Sequence, residues 1–437
     1  MKNHFCLFTV IFLLSIPLVN TAQNISKDGW TFSFQYQIDE FPANHPGETS
    51  LQGGLSIQGN NITNLDSLIQ ITTITGDLLI DNCDTLIDIS GLSNVEYING
   101  IDIKNNRNLK SINCFDKVTS LEGSINIYAN DSLTYISSLQ NLTHIGGSFT
   151  IKYNDLLTDL PSFPYLVEIG GNMDLSNINE IENLQCFQYL TKIGRNLTII
   201  NNLSLIDLTG LQNIDSLNYL QIMWNPSLRS LEGLQQIKTS SSGINISTND
   251  TLQNIAFNHV KRSRQIYIAS NKNLINMNFD SMEVLEDNLY ITNNSKLQSI
   301  ETFNQLDSVK RIDISDNQTL ENINGFHKLK EIVYQLNIEF NDSLTNLSGF
   351  QNLNSINHII IKNNEKLHTF SGFDILDTIK GDLTMMNNDD LTAFDAFNNL
   401  KHINGEFYIF DGNFTSFNNL SNLSSIGSNL KLIKISS

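Results

Sequence analysis

The chain has 437 residues and carries 26 Lys and Arg against 45 Asp and Glu, a formal charge of −19. A field of that sign repels phosphate backbones and anionic bilayers, so nucleic acid is not an expected partner. Charged residues make up only 16% of the chain, and the abundance of Asn, Ser and Thr predicts a surface of amides and hydroxyls rather than ion pairs.

Residues 1–22 are set apart. Lys2 gives a positive start, Phe5 to Val19 is almost wholly apolar, and the small residues Thr21 and Ala22 follow. This reads as a secretory signal peptide cleaved near Ala22. The apolar run is shorter than the ~20 residues a spanning helix needs, and no later segment is apolar enough, so no transmembrane segment is expected in the mature chain. A secreted or cell-surface location follows. Cys6 leaves with the signal, and Cys83, Cys114 and Cys186 remain. Three thiols cannot pair completely within one chain, so they are expected to be buried small apolar residues.

Residues 23–52 read as an N-terminal capping segment. Trp30, Phe32, Phe34, Tyr36 and Ile38 alternate with polar residues, which predicts a strand. Phe41, Pro42, His45, Pro46 and Gly47 predict turns. Such a segment would cover the apolar side chains and strand edges exposed at the first repeat.

Residues 53–437 are repeats. Units begin at Gly53, Gly76, Gly100, Gly123, Gly147, Gly171, Arg195, Tyr219, Gly243, Gln265, Asn288, Arg311, Tyr334, His358, Gly381 and Gly405, with a partial one from Ser428. Sixteen units of 22–24 residues share the pattern G-x-L-x-I-x-x-N, followed by an apolar residue every third position. The opening alternation, as at Ile125 and Ile127, is a short strand with one buried face. The three-residue step of Leu86, Ile89, Leu92, Val95 and Ile98 falls 60° short of an α-helical stripe at each step, so no single helix face would be buried. A mainly β fold is predicted: a parallel β-solenoid of about sixteen coils, each too small to bury its own apolar residues and stable only when stacked. At ~4.8 Å per rung it spans roughly 75–80 Å.

An asparagine column runs through the units at Asn60, Asn106, Asn130, Asn154, Asn202, Asn225, Asn249, Asn271, Asn294, Asn317, Asn341, Asn364 and Asn388, with Cys83, Ile178 and Gly412 as exceptions. An amide both donates and accepts, so stacked copies are expected to form a structural ladder. The last apolar column fails at Ser240 and Arg264, beside Ser241, Ser242, Lys261 and Arg262. This stretch, near 238–264, reads either as local irregularity or as a seam between two halves. The last coil shows no polar capping unit, and is expected to fray or to be protected by a partner or by self-association.

The phrases F-P-A-N-H-P-G at 41–47, G-G-L-S-I-Q-G-N-N-I-T-N-L at 53–65 and G-D-L-L-I-D-N at 76–82 resemble the receptor L-domain group of leucine-rich-repeat-like proteins, in particular the secreted versions of the Bacteroidetes type. Glu48 stands where such proteins often place a Cys. The resemblance covers about 53–437. It implies a right-handed solenoid of short parallel sheets used for extracellular recognition or adhesion.

No H-E-x-x-H, G-x-S-x-G, phosphate loop or paired C-x-x-C occurs, and His45, His144, His259, His327, His358, His368 and His402 are scattered without ligand spacing. No catalytic residue, metal site or cofactor is therefore assigned. Unit length is too constant to include a large loop, which argues against an enzyme. Tyr128, Tyr153, Trp224, Tyr267, Tyr290 and Phe340, with Tyr408 and Phe410, are expected to project from the strand face or its rim. They could stack on sugars or anchor a protein, or simply reflect strand propensity. Asp84, Asp131, Asp155, Asp250, Asp342 and Asp389 share a turn row that Ca²⁺ could occupy, although Arg107 and Lys272 interrupt it and a solvated turn is the expected reading. The sequence thus points to an extracellular or cell-surface binding or adhesion module whose partner is an extracellular protein or glycan. A self-assembling surface protein and a carbohydrate-active β-helix enzyme are the alternatives.

Overall fold

The computed structural model describes residues 29–392, 395–414 and 416–435. The signal peptide expected at 1–22 lies outside them.

From Leu55–Gln58 to Leu430–Ile435 the chain winds into stacked coils, each contributing one strand to a long parallel sheet. The register repeats one column per coil: Ile103 lies opposite Ile127, Ile127 opposite Ile151, and Leu175 opposite Ile199. Alternation puts these residues inside, and Ile103, Ile151 and Ile199 are wholly buried. Short corner strands carry the main sheet to 24 strands, and smaller corner sheets line the other sides, such as Ser120–Leu121, His144–Ile145, Glu168–Ile169 and Lys192–Ile193. Leu86, Ile89, Leu92, Val95 and Ile98 all point inward. The three-residue step is thus produced by a chain that turns corners through short extended pieces and 3₁₀ turns such as Ser90–Leu92. The core has no centre. It is one continuous column of apolar side chains, each coil sealed by the coils on either side.

One apolar column is aromatic. Phe257, Phe279, Phe303, Phe326, Phe350, Phe373 and Phe397 stack with ring centroids 5.1–5.6 Å apart, and from Phe279 to Phe350 the planes stay within 10° of parallel. In earlier coils the same column holds Leu68, Leu92, Phe115, Leu139, Phe163, Phe187, Leu211 and Leu234, all buried.

The asparagine column lines a buried corner. Asn130 Oδ1 accepts the Asn106 backbone N–H at 3.2 Å, while its Nδ2 donates to the carbonyls of Ile103 and Tyr128 at 3.0 and 3.2 Å. The same geometry runs unbroken from Asn202 through Asn225, Asn249, Asn271, Asn294, Asn317, Asn341 and Asn364 to Asn388. It is interrupted at Ile178, whose N–H still reaches Asn202 Oδ1. Asn60 is exposed and lies outside the ladder. The residue before each ladder asparagine has a left-handed backbone, as at Asn105 (φ 55°), Asn201 (φ 55°) and Asn293 (φ 55°), which turns the chain so that the next side chain enters the core.

A second, interrupted amide ladder lies later in the coils. Asn94, Asn141, Asn213, Asn352, Asn399 and Asn422 each donate Nδ2 to a backbone carbonyl of the preceding coil at 2.6–2.8 Å.

The N-terminal segment departs from the expected strand. Trp30–Phe32 and Ser50–Leu51 pair with the first coil, and Gln35–Asp39 between them is a helical turn. The Gln37 side chain caps it by accepting the N–H groups of Ser33 and Phe34 at 2.7 and 2.9 Å. A second helical turn, Phe41–Asn44, with Pro42 in its first turn, stands where turns were expected. The alternating apolar residues misled because Ile38 and Phe41, three apart, form the buried stripe, while Phe34 and Tyr36 are exposed. Among the described residues no helix is long and apolar enough to cross a membrane.

Candidate binding face

The main sheet turns one row of side chains outward from the middle of each strand. Aligned coil by coil, it reads Asp102, Asn126, Thr150, Asp174, Thr198, Gln221, Asn245, Tyr267, Tyr290, Asp313 and Asn337. Tyr267 and Tyr290 occupy adjacent rungs with ring centroids 5.8 Å apart and planes inclined at 59°. Burial pushes the Tyr290 hydroxyl above the ordinary tyrosine range, against the lowering effect of nearby Arg311. The next rungs bring Asp313 and Asn337, whose Oδ1 atoms are both buried without a partner, although Asn337 also hydrogen-bonds the Asp313 carboxylate. Burial raises the Asp313 carboxyl, with Ser315, Asn337 and Arg311 opposing it.

The other aromatic candidates do not touch this pair. Tyr128 ends its strand in a second outward row, with Lys104 Nζ 5.8 Å from the ring centroid. Tyr153, Trp224 and Phe340 occupy the left-handed corner with φ of 52°, 56° and 55°. Their side chains are 56%, 51% and 46% exposed. The corners Asn177 and Asn201 separate Tyr153 from Trp224, roughly 14 Å at the ordinary rung spacing. Tyr408 and Phe410 share one strand near the C-terminal end, with centroids 6.4 Å apart. The structure therefore brings Tyr267 and Tyr290 into contact, places Tyr408 further along the same row and Phe410 in the row of Tyr128, and leaves Tyr153, Trp224 and Phe340 along the corner. Sequence reading passed over Asp313 and Asn337; aligning the units on their strand residues places both beside the tyrosines.

In the turn row, Asp250 pairs with Lys272 at 2.7 Å and Asp155 accepts from Asn179 at 3.0 Å. Among the described residues no group of three or more His, Cys, Asp or Glu is placed to hold a metal ion. The three thiols are free. Burial pushes the Cys83 thiol up to about 11 and raises those of Cys114 and Cys186 as well.

The stretch at 217–243 is where the corner changes shape. In earlier coils a glycine turns each corner. A Cβ on Gly170 would lie 2.3 Å from Gly146 O, and one on Gly194 2.1 Å from Gly170 O, so neither position admits a side chain. At Ser216–Met223 and Thr239–Ser247 the corner and main strands fuse, as they also do at Thr73–Asp81 and Tyr97–Lys104, with a register shift between Leu217 and Tyr219. The main sheet and the asparagine ladder continue through it. A cleft of about 900 Å³ opens between the two corner shapes, bounded by Thr191–Arg195, Asp215–Asn218, Thr239 and Ser241.

The chain is a mainly β solenoid of parallel coils. No family model matches its sequence, and no curated protein matches it. Among solved structures it is similar to a chain of the "Crystal structure of TLR13-ssRNA13 complex", at 11% identity over 86% of this chain and 88% of that one, with a TM-score of 0.18. At that score the two chains do not superpose as wholes.

Proposed function

We propose that this protein is a secreted or cell-surface binding or adhesion module that engages an extracellular protein or glycan through the outward face of its main sheet, without catalysis. The observation that carries the reading is the row Tyr267, Tyr290, Asp313 and Asn337. Two aromatic rings in adjacent rungs are followed in the same outward row by a carboxylate and an amide. Ring faces supply contact area at little entropic cost, and the neighbouring polar groups suit a partner that combines apolar faces with hydroxyl or amide groups. The rigid ladder beneath them holds the row in place, so little ordering is needed on binding. The resemblance to receptor L-domain proteins supports the same reading.

The test is an array of glycans and extracellular proteins probed with the purified protein, followed by the Tyr267→Ala/Tyr290→Ala double variant against any partner found. Binding is expected to weaken at least tenfold. Unchanged binding would remove the face from the proposal.

A further inference from the structure

The strand face leaves one concavity unused, the cleft formed where the glycine corners give way to the fused strand. We propose that this cleft is a second binding site, for a carboxylated sugar unit such as a uronate, with Arg195 as the anchoring residue.

The charges around the cleft are paired, with one exception. Lys192 is held by Glu168 at 2.6 Å, and Asp215 by Lys238 at 3.1 Å. Arg195 is exposed, and among the described residues no carboxylate lies within ion-pair distance of it. The acidic side chains beside the recess are engaged by lysines, Glu168 by Lys192 and Asp215 by Lys238, which leaves the Arg195 guanidinium without a carboxylate of its own. Its planar fork of donors matches a carboxylate in two parallel bonds.

The rest of the lining is suited to hydroxyls. Asn218 Oδ1 accepts from both Ser241 and Ser242, at 2.9 and 2.8 Å, and its Nδ2 donates to Asn196 at 2.9 Å, so the amide is locked and the serine oxygens remain acceptors. Ser216 Oγ donates to Asp215 at 3.0 Å, leaving that carboxylate further lone pairs. Gly194 contributes bare backbone to the lining. The cleft, at about 900 Å³, falls within the size range of small-molecule sites and is far larger than a simple inorganic anion. A ligand with one carboxylate and several hydroxyls satisfies both the guanidinium and the lining. Asp215 and Glu168 flank the cleft and oppose a group of higher negative charge. The site is distinct from the tyrosine pair and does not depend on the reading of the sheet face.

Calorimetric titration of the whole protein tests it with three probes: an oligouronate, its carboxyl-reduced neutral counterpart, and inorganic sulfate. The oligouronate is expected to bind, with the neutral sugar and sulfate at least tenfold weaker. Arg195→Gln should weaken oligouronate binding about ten- to hundredfold, and Arg195→Lys, which keeps the charge without the fork, should also weaken it. Because Arg195 is exposed, the variants should melt as the parent does, and the Tyr267→Ala/Tyr290→Ala variant should bind the oligouronate unchanged. The proposal is overturned if the oligouronate does not bind, if the neutral sugar or sulfate binds equally well, or if Arg195→Gln leaves the affinity intact. Loss of oligouronate binding in the tyrosine variant alone would assign it to the sheet face and overturn it as well.

Discussion

At the residue scale, the left-handed corner separates what the coil requires from what a face presents. Asn suits that conformation because its side chain can bond locally, whereas a bulky residue there costs roughly 1–2 kcal/mol. Trp224 holds it at φ 56° with its ring half exposed, so little packing offsets the cost. Trp224→Asn is therefore expected to stabilise the protein by about 1 kcal/mol in denaturant titration; a loss of stability would show that the indole packs productively. Asp313 offers a pH test. Burial raises its folded-state pKa, so the folded state binds a proton more readily than the unfolded state. Stability linked to this group is present at low pH and is lost as pH rises through the folded value. Asp313→Asn should raise the melting temperature at pH 7 and give no such gain at pH 3, below the ordinary carboxylate range. An equal gain at both pH values would refute the linkage. The strand aromatics were visible in the sequence as residues. Their division between a sheet row and a corner was not, because it depends on where each coil breaks from extended to left-handed backbone.

At the element scale, the two ladders and the phenylalanine column carry cohesion between coils. Asn249 Oδ1 accepts from the Asn225 backbone at 3.1 Å, and its Nδ2 donates to Ile222 O at 3.0 Å. Asn249→Ala would leave both buried groups unpaired, at about 1–3 kcal/mol each, so a loss above about 2 kcal/mol is expected in urea titration, and a smaller loss would mean that water enters the corner. Phe326→Ala should cost about 3–5 kcal/mol. Phe326→Leu should cost about 1 kcal/mol, since Leu211 and Leu234 fill the same column in earlier coils. Equal losses in the two variants would contradict that account of the column. The first ladder was legible because asparagine recurs at one position in thirteen units. The second was not, because its asparagines occupy only some coils and share their column with residues such as Lys117, Tyr165 and Tyr189. The N-terminal cap was misread for a related reason. Trp30 to Ile38 alternates perfectly, yet the segment has only one neighbouring coil to cover. Burying Ile38 and Phe41 together required a helical turn.

At the scale of the whole molecule, stability is a sum of neighbour contacts along one axis, so opening should begin at an end. The Asn202–Asn388 ladder is continuous, while the last strand leaves Leu430 and Leu432 exposed. Amide exchange should therefore be fastest across Leu430–Ile435 and slowest in the coils around Ile246 and Ile291; uniform protection would indicate a single cooperative unit instead. The solenoid itself was determined by sequence alone. Repeats of 22–24 residues with a strand at one end and a three-residue apolar step at the other bury their apolar residues by stacking, and unit length sets which columns meet. Tertiary structure alone decided what the surface became. Whether neighbouring rungs place two tyrosines beside Asp313 and Asn337 depends on how each coil registers on the next. So does the cleft beside Arg195, which opens because successive corners differ in shape. Repetition dictates the average coil, whereas a site arises from the differences between coils, and those acquire meaning only once the coils lie against one another.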